Sequence, residues 1–165
     1  MLEIQRVVHP EEIEVTCDLA REIWTEHYVK IIGKDQVEYM LAKFQSTEAI
    51  SEQMNQGYEY YLLFHEGEAV GYIALVPERD KRSMFLSKIY VRKDLRGKGF
   101  GREALGHAEK LCRERDLPKL WLTVNKQNSD SIDWYQRMGF EKEESLVQEI
   151  GGGFVMDDYK FVKRF

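Results

Sequence analysis

The sequence predicts an α/β (α+β) fold in a single domain over residues 1–165, a mixed sheet with helices on both faces. Three observations carry this expectation. The chain has 165 residues, enough for one substantial hydrophobic core. Apolar residues recur at helical spacing up to residue 57. From residue 58 onward β-rich segments dominate, first as a hairpin and then alternating with helices to the end.

Each element has its own signal. Leu2, Ile4 and Val8 lie on one face of an alternating stretch, which makes residues 2–8 the first strand. Pro10 opens a helix on which Ile13, Cys17, Ala20, Trp24 and His27 recur at helical spacing. Asp35 reads as the N-cap of a second helix, carrying Val37, Met40, Leu41 and Phe44. Thr47 reads as the cap of a third, through Ile50 and Met54 to a stop at Gly57. Tyr58–Phe64 is aromatic and β-rich, residues 65–68 make a turn, and Ala69–Val76 returns as the other arm of a hairpin. Ser83–Val91 is the fourth strand. Gly101–Arg115 is a helix with Ala104, Leu105, Ala108, Leu111 and Cys112 on one face. Lys119–Val124 is the fifth strand, and Ser129–Arg137 a helix of about two to three turns. Gly139 ends that helix, Phe140 begins a sixth strand, and residues 151–153 make a loose turn into a last one, Phe154–Val162.

Composition removes several classes of function. Hydrophobic residues make up 43% of the chain and charged residues 32%, as in ordinary soluble domains. The longest nearly unbroken apolar run, Ala69–Val76, is far shorter than a membrane helix, and Glu3 and Arg6 interrupt any leader. A cytoplasmic protein with no membrane partner is therefore expected. Cys17 and Cys112 stand 95 positions apart, no CxxC occurs, and none of the four histidines has ligand spacing with another. Reduced core thiols and no metal are expected. The net charge of −5 argues against nucleic acid as partner. That charge is unevenly spread, because Arg92, Lys93, Arg96, Lys98 and Arg102 crowd into residues 92–102 against Asp94 alone. One short segment is arranged for an anion, while the acidic remainder favours cations.

The basic segment lies where the fourth strand gives way to a helix. Gly97, Gly99 and Gly101 remove every other side chain, so backbone N–H groups can converge on an anion beside the helix N-terminus. Arg96, Lys98 and Arg102 add full charges, and a pyrophosphate is the natural guest. The P-loop pattern does not occur. Gly99–Ala104 does fit the dinucleotide fingerprint G-x-G-x-x-A, although the next strand ends at Val124–Asn125 without the acidic residue a ribose needs. A glycine-rich turn bearing solvated charges accounts for the same residues.

Ile89-x-Val91 followed by Arg96-x-x-Gly99-x-Gly101 resembles motif A of the GNAT superfamily of N-acetyltransferases, whose pattern is Gln/Arg-x-x-Gly-x-Gly/Ala. Val124–Asn125, Asn128, Ile132, Tyr135 and Met138–Gly139–Phe140 are similar to its second signature, and the pair covers residues 84–140. The resemblance implies a mostly antiparallel sheet splayed between strands four and five. It implies acetyl-CoA as co-substrate, with the pantetheine arm in the gap. The strand end Ile89, Tyr90 and Val91 would then meet the acetyl carbonyl and the arm. Arg96, Gly97, Lys98, Gly99, Phe100, Gly101 and Arg102 would hold the pyrophosphate, Asn128 would bond the pantetheine, and Tyr135 would stand near the thioester sulfur.

Acetyl transfer needs a neutral amine, a polarised carbonyl and a protonated leaving thiol. A phenol has an unperturbed pKa near 10 and a thiol about 8.5, so Tyr135 is protonated at neutral pH and able to donate to a departing thiolate. A core aromatic on a short helix is the plainer account of Tyr135 taken alone. Phe85 stands where some superfamily members carry a glutamate, which leaves the base open among Glu26, His27 and Tyr28. Glu26 and Tyr28 are also the substrate-side candidates. The expected acceptor is a small-molecule primary amine, attacking directly in a ternary complex and drawn by Glu22, Glu26, Asp35, Glu38, Asp157 and Asp158. The layout is similar to bacterial spermine/spermidine acetyltransferases in the first helix with Trp24 and Tyr28, the Gln45–Ser46 helix end and the segment 152–159. A protein N-terminus, a ribosomal protein, an aminoglycoside, and acetyl-CoA binding without catalysis stand as alternatives. The last strand, with its alternating charged and aromatic residues, is a candidate for pairing across a homodimer.

Overall fold

A computed structural model describes residues 1–165. The elements run β1 (Glu3–Arg6), α1 (Pro10–Ile32), α2 (Lys34–Phe44), α3 (Thr47–Asn55), β2 (Glu59–His65), β3 (Glu68–Glu78) and β4 (Ser83–Val91). They continue with α4 (Phe100–Glu114), β5 (Lys119–Asn125), α5 (Ser129–Arg137), β6 (Glu141–Gly151) and β7 (Phe154–Arg164). All seven strands join one sheet in the order β1-β2-β3-β4-β5-β7-β6. Every neighbouring pair is antiparallel except β4 and β5.

Strand alternation sends successive side chains to opposite faces, and the middle strands are apolar on both. Tyr61, Leu63, Ile73 and Leu75 pack with Ala104, Leu105 and Ala108 of α4. Tyr60, Leu62, Tyr72 and Ala74 pack with Ile23, Trp24, Met40 and Ile50 of α1, α2 and α3. Helices thus cover both faces, as the order of elements predicts.

Several boundaries differ from the sequence expectation, each for a local reason. β1 stops at Arg6 because the Val8 and His9 N–H groups donate to Glu12 Oε1, at 2.8 and 2.7 Å, where the chain turns into α1. The residue capping α2 is Gly33, at φ +87°, and Asp35 lies inside the first turn, where its charge still opposes the helix dipole. Ser46, not Thr47, caps α3: its hydroxyl accepts from the Ala49 N–H at 3.1 Å. α4 begins one residue early, at Phe100, and β6 one late, at Glu141.

The β4–β5 pairing is confined to one end. Ser83, Met84 and Phe85 register with Lys119, Leu120 and Trp121. Beyond them β4 stays on β3 through Val91, while β5 stays on β7 through Asn125. The sheet therefore forks, with Phe85 stacked on Trp121 at 4.1 Å near the vertex. β4 also carries a bulge: Ala74 faces Lys88 and Leu75 faces Leu86, leaving Ser87 as the extra residue. Gly71 lets β4 lie close to β3, since a Cβ there would fall 2.2 Å from the Tyr90 carbonyl oxygen.

Candidate active site

A forked sheet leaves backbone groups without strand partners, and alternation decides which ones. The Arg92 N–H donates to the Val70 carbonyl on β3 at 2.8 Å. Two residues back, the Tyr90 carbonyl also lies against β3, at Gly71. The intervening groups, those of Ile89 and Val91, therefore point into the fork. The Val91 carbonyl accepts from Arg96 Nε at 3.2 Å, which fastens the strand end to the glycine loop.

A cleft of about 830 Å³ occupies this fork, walled by the end of β4, the loop before α4, α5, and Glu26–Tyr28 of α1. Gly97 and Gly99 hold φ of +84° and +83°, a left-handed backbone that other residues rarely adopt. Gly101 serves another end. Its missing Cβ would fall 3.2 Å from the Trp134 ring, so it makes room for α5. The Phe100 side chain is buried in the core against His65, so only its backbone stands at the head of α4. Arg96 and Arg102 line the cleft, joined by Lys93 and Arg137, whereas Lys98 is exposed and outside its wall. Arg92 is drawn to Glu22 at 3.5 Å and Asp94 at 3.7 Å.

α5 presents the other wall. Asn128 is buried beside His27 and Tyr28, and its Oδ1 accepts from the Ser131 N–H at 3.4 Å, which caps the helix. Tyr135 lines the cleft with its ring held edge-on by Trp134 at 5.2 Å and Phe140 at 5.7 Å. Burial, then the neighbouring Tyr28, pushes its phenol well above the usual value, so it keeps its proton throughout the physiological range. Burial, then Arg96, lowers His27, and its imidazole is neutral at pH 7. Glu26 is exposed on the lip of the cleft. Tyr28 is deeper, with its hydroxyl 3.3 Å from that of Tyr90.

A second cavity, of about 440 Å³, lies on the face covered by α1 and α2. It meets the first at Tyr28, Ser87, Lys88, Tyr90, Thr123 and Val124. Its outer wall is the β6–β7 hairpin, which is clamped to α2. Gln36 donates to the Val155 carbonyl at 2.9 Å, Tyr39 to that of Ile150 at 2.8 Å, and Lys43 to the same oxygen. A Cβ on Gly152 would fall 2.8 Å from the Tyr39 ring. The expected loose turn is therefore a tight one, pressed onto α2.

Two charged residues stand in this second cavity. Lys88 faces the same side as Tyr90 and donates to Ser87 Oγ at 2.8 Å. Burial draws its ammonium down to about 8. No motif marks Lys88, and its signal in the sequence is a lone charge within the strand Ser83–Val91. Asp158 is 4% exposed, and its Oδ1 has no hydrogen-bond partner. Burial and the adjoining Asp157 push its carboxyl up to about 6, against Thr123 and Lys126, which act the other way. The other acids expected to attract an amine are placed differently. Glu22 pairs with Arg92 at 3.5 Å, Glu38 with Arg21 at 3.3 Å and Asp157 with Lys126 at 2.6 Å. Asp35 is exposed and lines neither cavity. No helix is long and apolar enough to cross a membrane.

Known proteins share this fold. A spermidine N(1)-acetyltransferase from Thermoplasma acidophilum is 24% identical over 152 residues, covering 89% of this chain and 91% of that protein. The crystal structure of the PaiA N-acetyltransferase from Thermoplasma acidophilum in complex with coenzyme A superposes with a TM-score of 0.79 at 23% identity, covering 100% of this chain and 99% of that one. The ribosomal-protein-S18-alanine N-acetyltransferase from Escherichia coli has the same fold, with a TM-score of 0.73 at 16% identity over 99% and 94% of the two chains. The sequence profile of the acetyltransferase (GNAT) family matches residues 17–140, a span that holds the fork, the glycine loop and α5. The chain is thus an acetyltransferase of the GNAT family.

Proposed function

We propose that this enzyme moves the acetyl group of acetyl-CoA directly to a primary amine of a polyamine or similar small cationic acceptor, with both substrates bound at once. The observation that carries this reading is the meeting of two cavities at the open side of β4. One cavity has cationic walls and a glycine loop at a helix N-terminus, suited to pyrophosphate. The other is lined by Trp24, Phe44, Tyr58 and Tyr90 and holds a buried carboxylate, suited to an alkylamine.

Each group at the junction has a task in that reaction. The Ile89 backbone N–H, facing the fork, donates to the acetyl carbonyl oxygen as negative charge develops there. The amine nitrogen forms its bond to the carbonyl carbon and gives a proton to water in the cleft, the carbon–sulfur bond breaks, and Tyr135 donates its hydrogen to the departing sulfur and regains one from water. Lys88 adds a positive charge beside the attack point, which disfavours a second one and holds the arriving nitrogen neutral. The spermidine-acetylating relative supports the acceptor class.

Thiol release from acetyl-CoA, measured with spermidine, short diamines and a peptide bearing a free N-terminus, tests the proposal. Release driven by the polyamines supports it. Release with the peptide alone transfers the acceptor class to proteins. A melting shift with CoA but no release with any amine reduces the protein to a binding module.

A further inference from the structure

We infer that Asp158 is the recognition group of the acceptor cavity, holding a second, non-reacting ammonium of the acceptor, so that the enzyme selects diamines and polyamines over monoamines. The inference rests on the acetyl-transfer reading above and adds to it which residue reads the acceptor and what the acceptor must carry.

Burying a carboxylate without a partner is costly, and proteins normally pair or hydrogen-bond such groups. Asp158 departs from that rule inside a cavity. It is 4% exposed with Oδ1 unpartnered, and it lies among the aromatic residues of the second cavity. Its β7 neighbour Asp157 takes Lys126 at 2.6 Å, and that lysine acts on Asp158 through space without pairing with it. The two lysines that line the cavity are engaged elsewhere, Lys43 with the Ile150 carbonyl and Lys88 with Ser87 Oγ. Glu149, the remaining charged residue of the wall, is itself an acid. The cavity therefore presents a carboxyl with one oxygen unpartnered, raised toward protonation by burial and Asp157 although Thr123 and Lys126 act the other way, and a cationic nitrogen is the chemical group that meets it.

Position decides that this nitrogen is not the reacting one. Asp158 registers with Asn125 of β5, while β4 lies beyond β5 across the fork. Asp158 lines the second cavity only, whereas Ser87, Lys88 and Tyr90 of β4 line both. Two strand spacings separate the backbones of β7 and β4, on the order of 10 Å, and the Asp158 carboxylate reaches part of the way back, to Thr123, which lines both cavities. A nitrogen held at Asp158 stays on the β7 side of the junction, so an acceptor anchored there presents its other nitrogen to β4. Lys88 sets the contrast: the junction disfavours a positive charge, and the far end demands one.

Three probes of similar length separate the cases: butane-1,4-diamine, butylamine and 4-aminobutyrate. The wild-type enzyme is expected to prefer the diamine in kcat/KM and to discriminate most against 4-aminobutyrate, whose carboxylate meets Asp158. In Asp158→Asn the preference of diamine over butylamine is expected to fall about 30-fold or more, expressed mainly in KM. Asp158→Glu, which keeps the charge, restores part of it. An unmoved preference in Asp158→Asn, or a wild-type enzyme indifferent among the three, overturns the inference. Calorimetric titration of the CoA-loaded protein with butane-1,4-diamine reads the anchor without turnover, and CoA affinity verifies that each variant is folded. Binding lost in Asp158→Asn and regained in Asp158→Glu supports the anchor, and equal or absent binding in wild type and Asp158→Asn overturns it. Asp158-dependent binding without thiol release would overturn acetyl transfer and leave the anchor standing.

Discussion

The acid role proposed for Tyr135 needs a phenol that keeps its proton and a ring held in one orientation, and its surroundings supply both. Trp134 and Phe140 fix its ring edge-on, and burial keeps the proton in place. Tyr135→Phe is expected to lower kcat by about 10²–10⁴-fold while CoA affinity by calorimetry stays the same. Asp158 shows the opposite use of burial. Its carboxyl is raised to about 6 in the folded protein, so the native state holds the proton more tightly than the unfolded chain does. The stability it contributes is fully present below about pH 4 and is lost as the pH rises through 6. At pH 7.5 the ionised group therefore costs stability, up to about 3 kcal/mol. Asp158→Asn is expected to raise the unfolding free energy at pH 7.5 and to bring no gain at pH 4, as read by denaturant titration at the two pH values. Burial and then Asp157 set that midpoint, with Thr123 and Lys126 acting the other way, and Lys43, Lys88 and Glu149 are the other charged groups along the cavity. A residue that weakens the free protein and strengthens the complex is the usual trade between stability and function.

At the scale of elements, the site is made by two strands that part. β4 must hold to β3 after it has left β5, and Gly71 makes that possible by admitting the Tyr90 carbonyl at a distance no side chain would permit. Gly71→Ala is expected to cost about 1–3 kcal/mol in urea unfolding, and to lower activity by displacing the strand that carries Ile89. The hairpin clamp has a different signature. Gly152→Val forces the β6–β7 turn off Tyr39, and is expected to raise KM for the amine while leaving CoA affinity unaltered. The elements themselves are largely legible in the sequence. Periodicity and turn glycines together find all seven strands and five helices: most have an apolar face to bury, while β6, exposed along nearly its whole length, is read from Gly139 and Phe140 before it and the glycines after it. Cap assignments at Asp35 and Thr47 miss by one or two residues because several polar residues near a helix start compete, and the local turn chooses among them.

For the whole molecule, two chemistries meet at the fork of the sheet. The cationic cleft and the cavity that holds Asp158 lie together within a chain of net charge −5. Salt screens attractions between exposed charges, so raising ionic strength from low to about 0.5 M is expected to weaken CoA binding several-fold in fluorescence or calorimetric titrations. Replacing Arg96 and Arg102 together by alanine is expected to flatten that dependence as well as lower the affinity.

The sequence by itself determines the family, the forked sheet through its paired motifs, and the cradle of Gly97 and Gly99, because these depend on residues close along the chain. Periodicity, turn glycines and motif spacing are local quantities. Only the tertiary structure decides that Gly101 serves Trp134, that Lys98 stays outside the cleft, and that Lys88 stands at a junction of cavities. It alone distinguishes Asp158 from the other acids of an acidic chain. Burial and pairing are set by residues far apart in sequence: Glu22 finds Arg92 and Glu38 finds Arg21, while Asp158 is closed in by α1, α2 and β5 without a cation of its own.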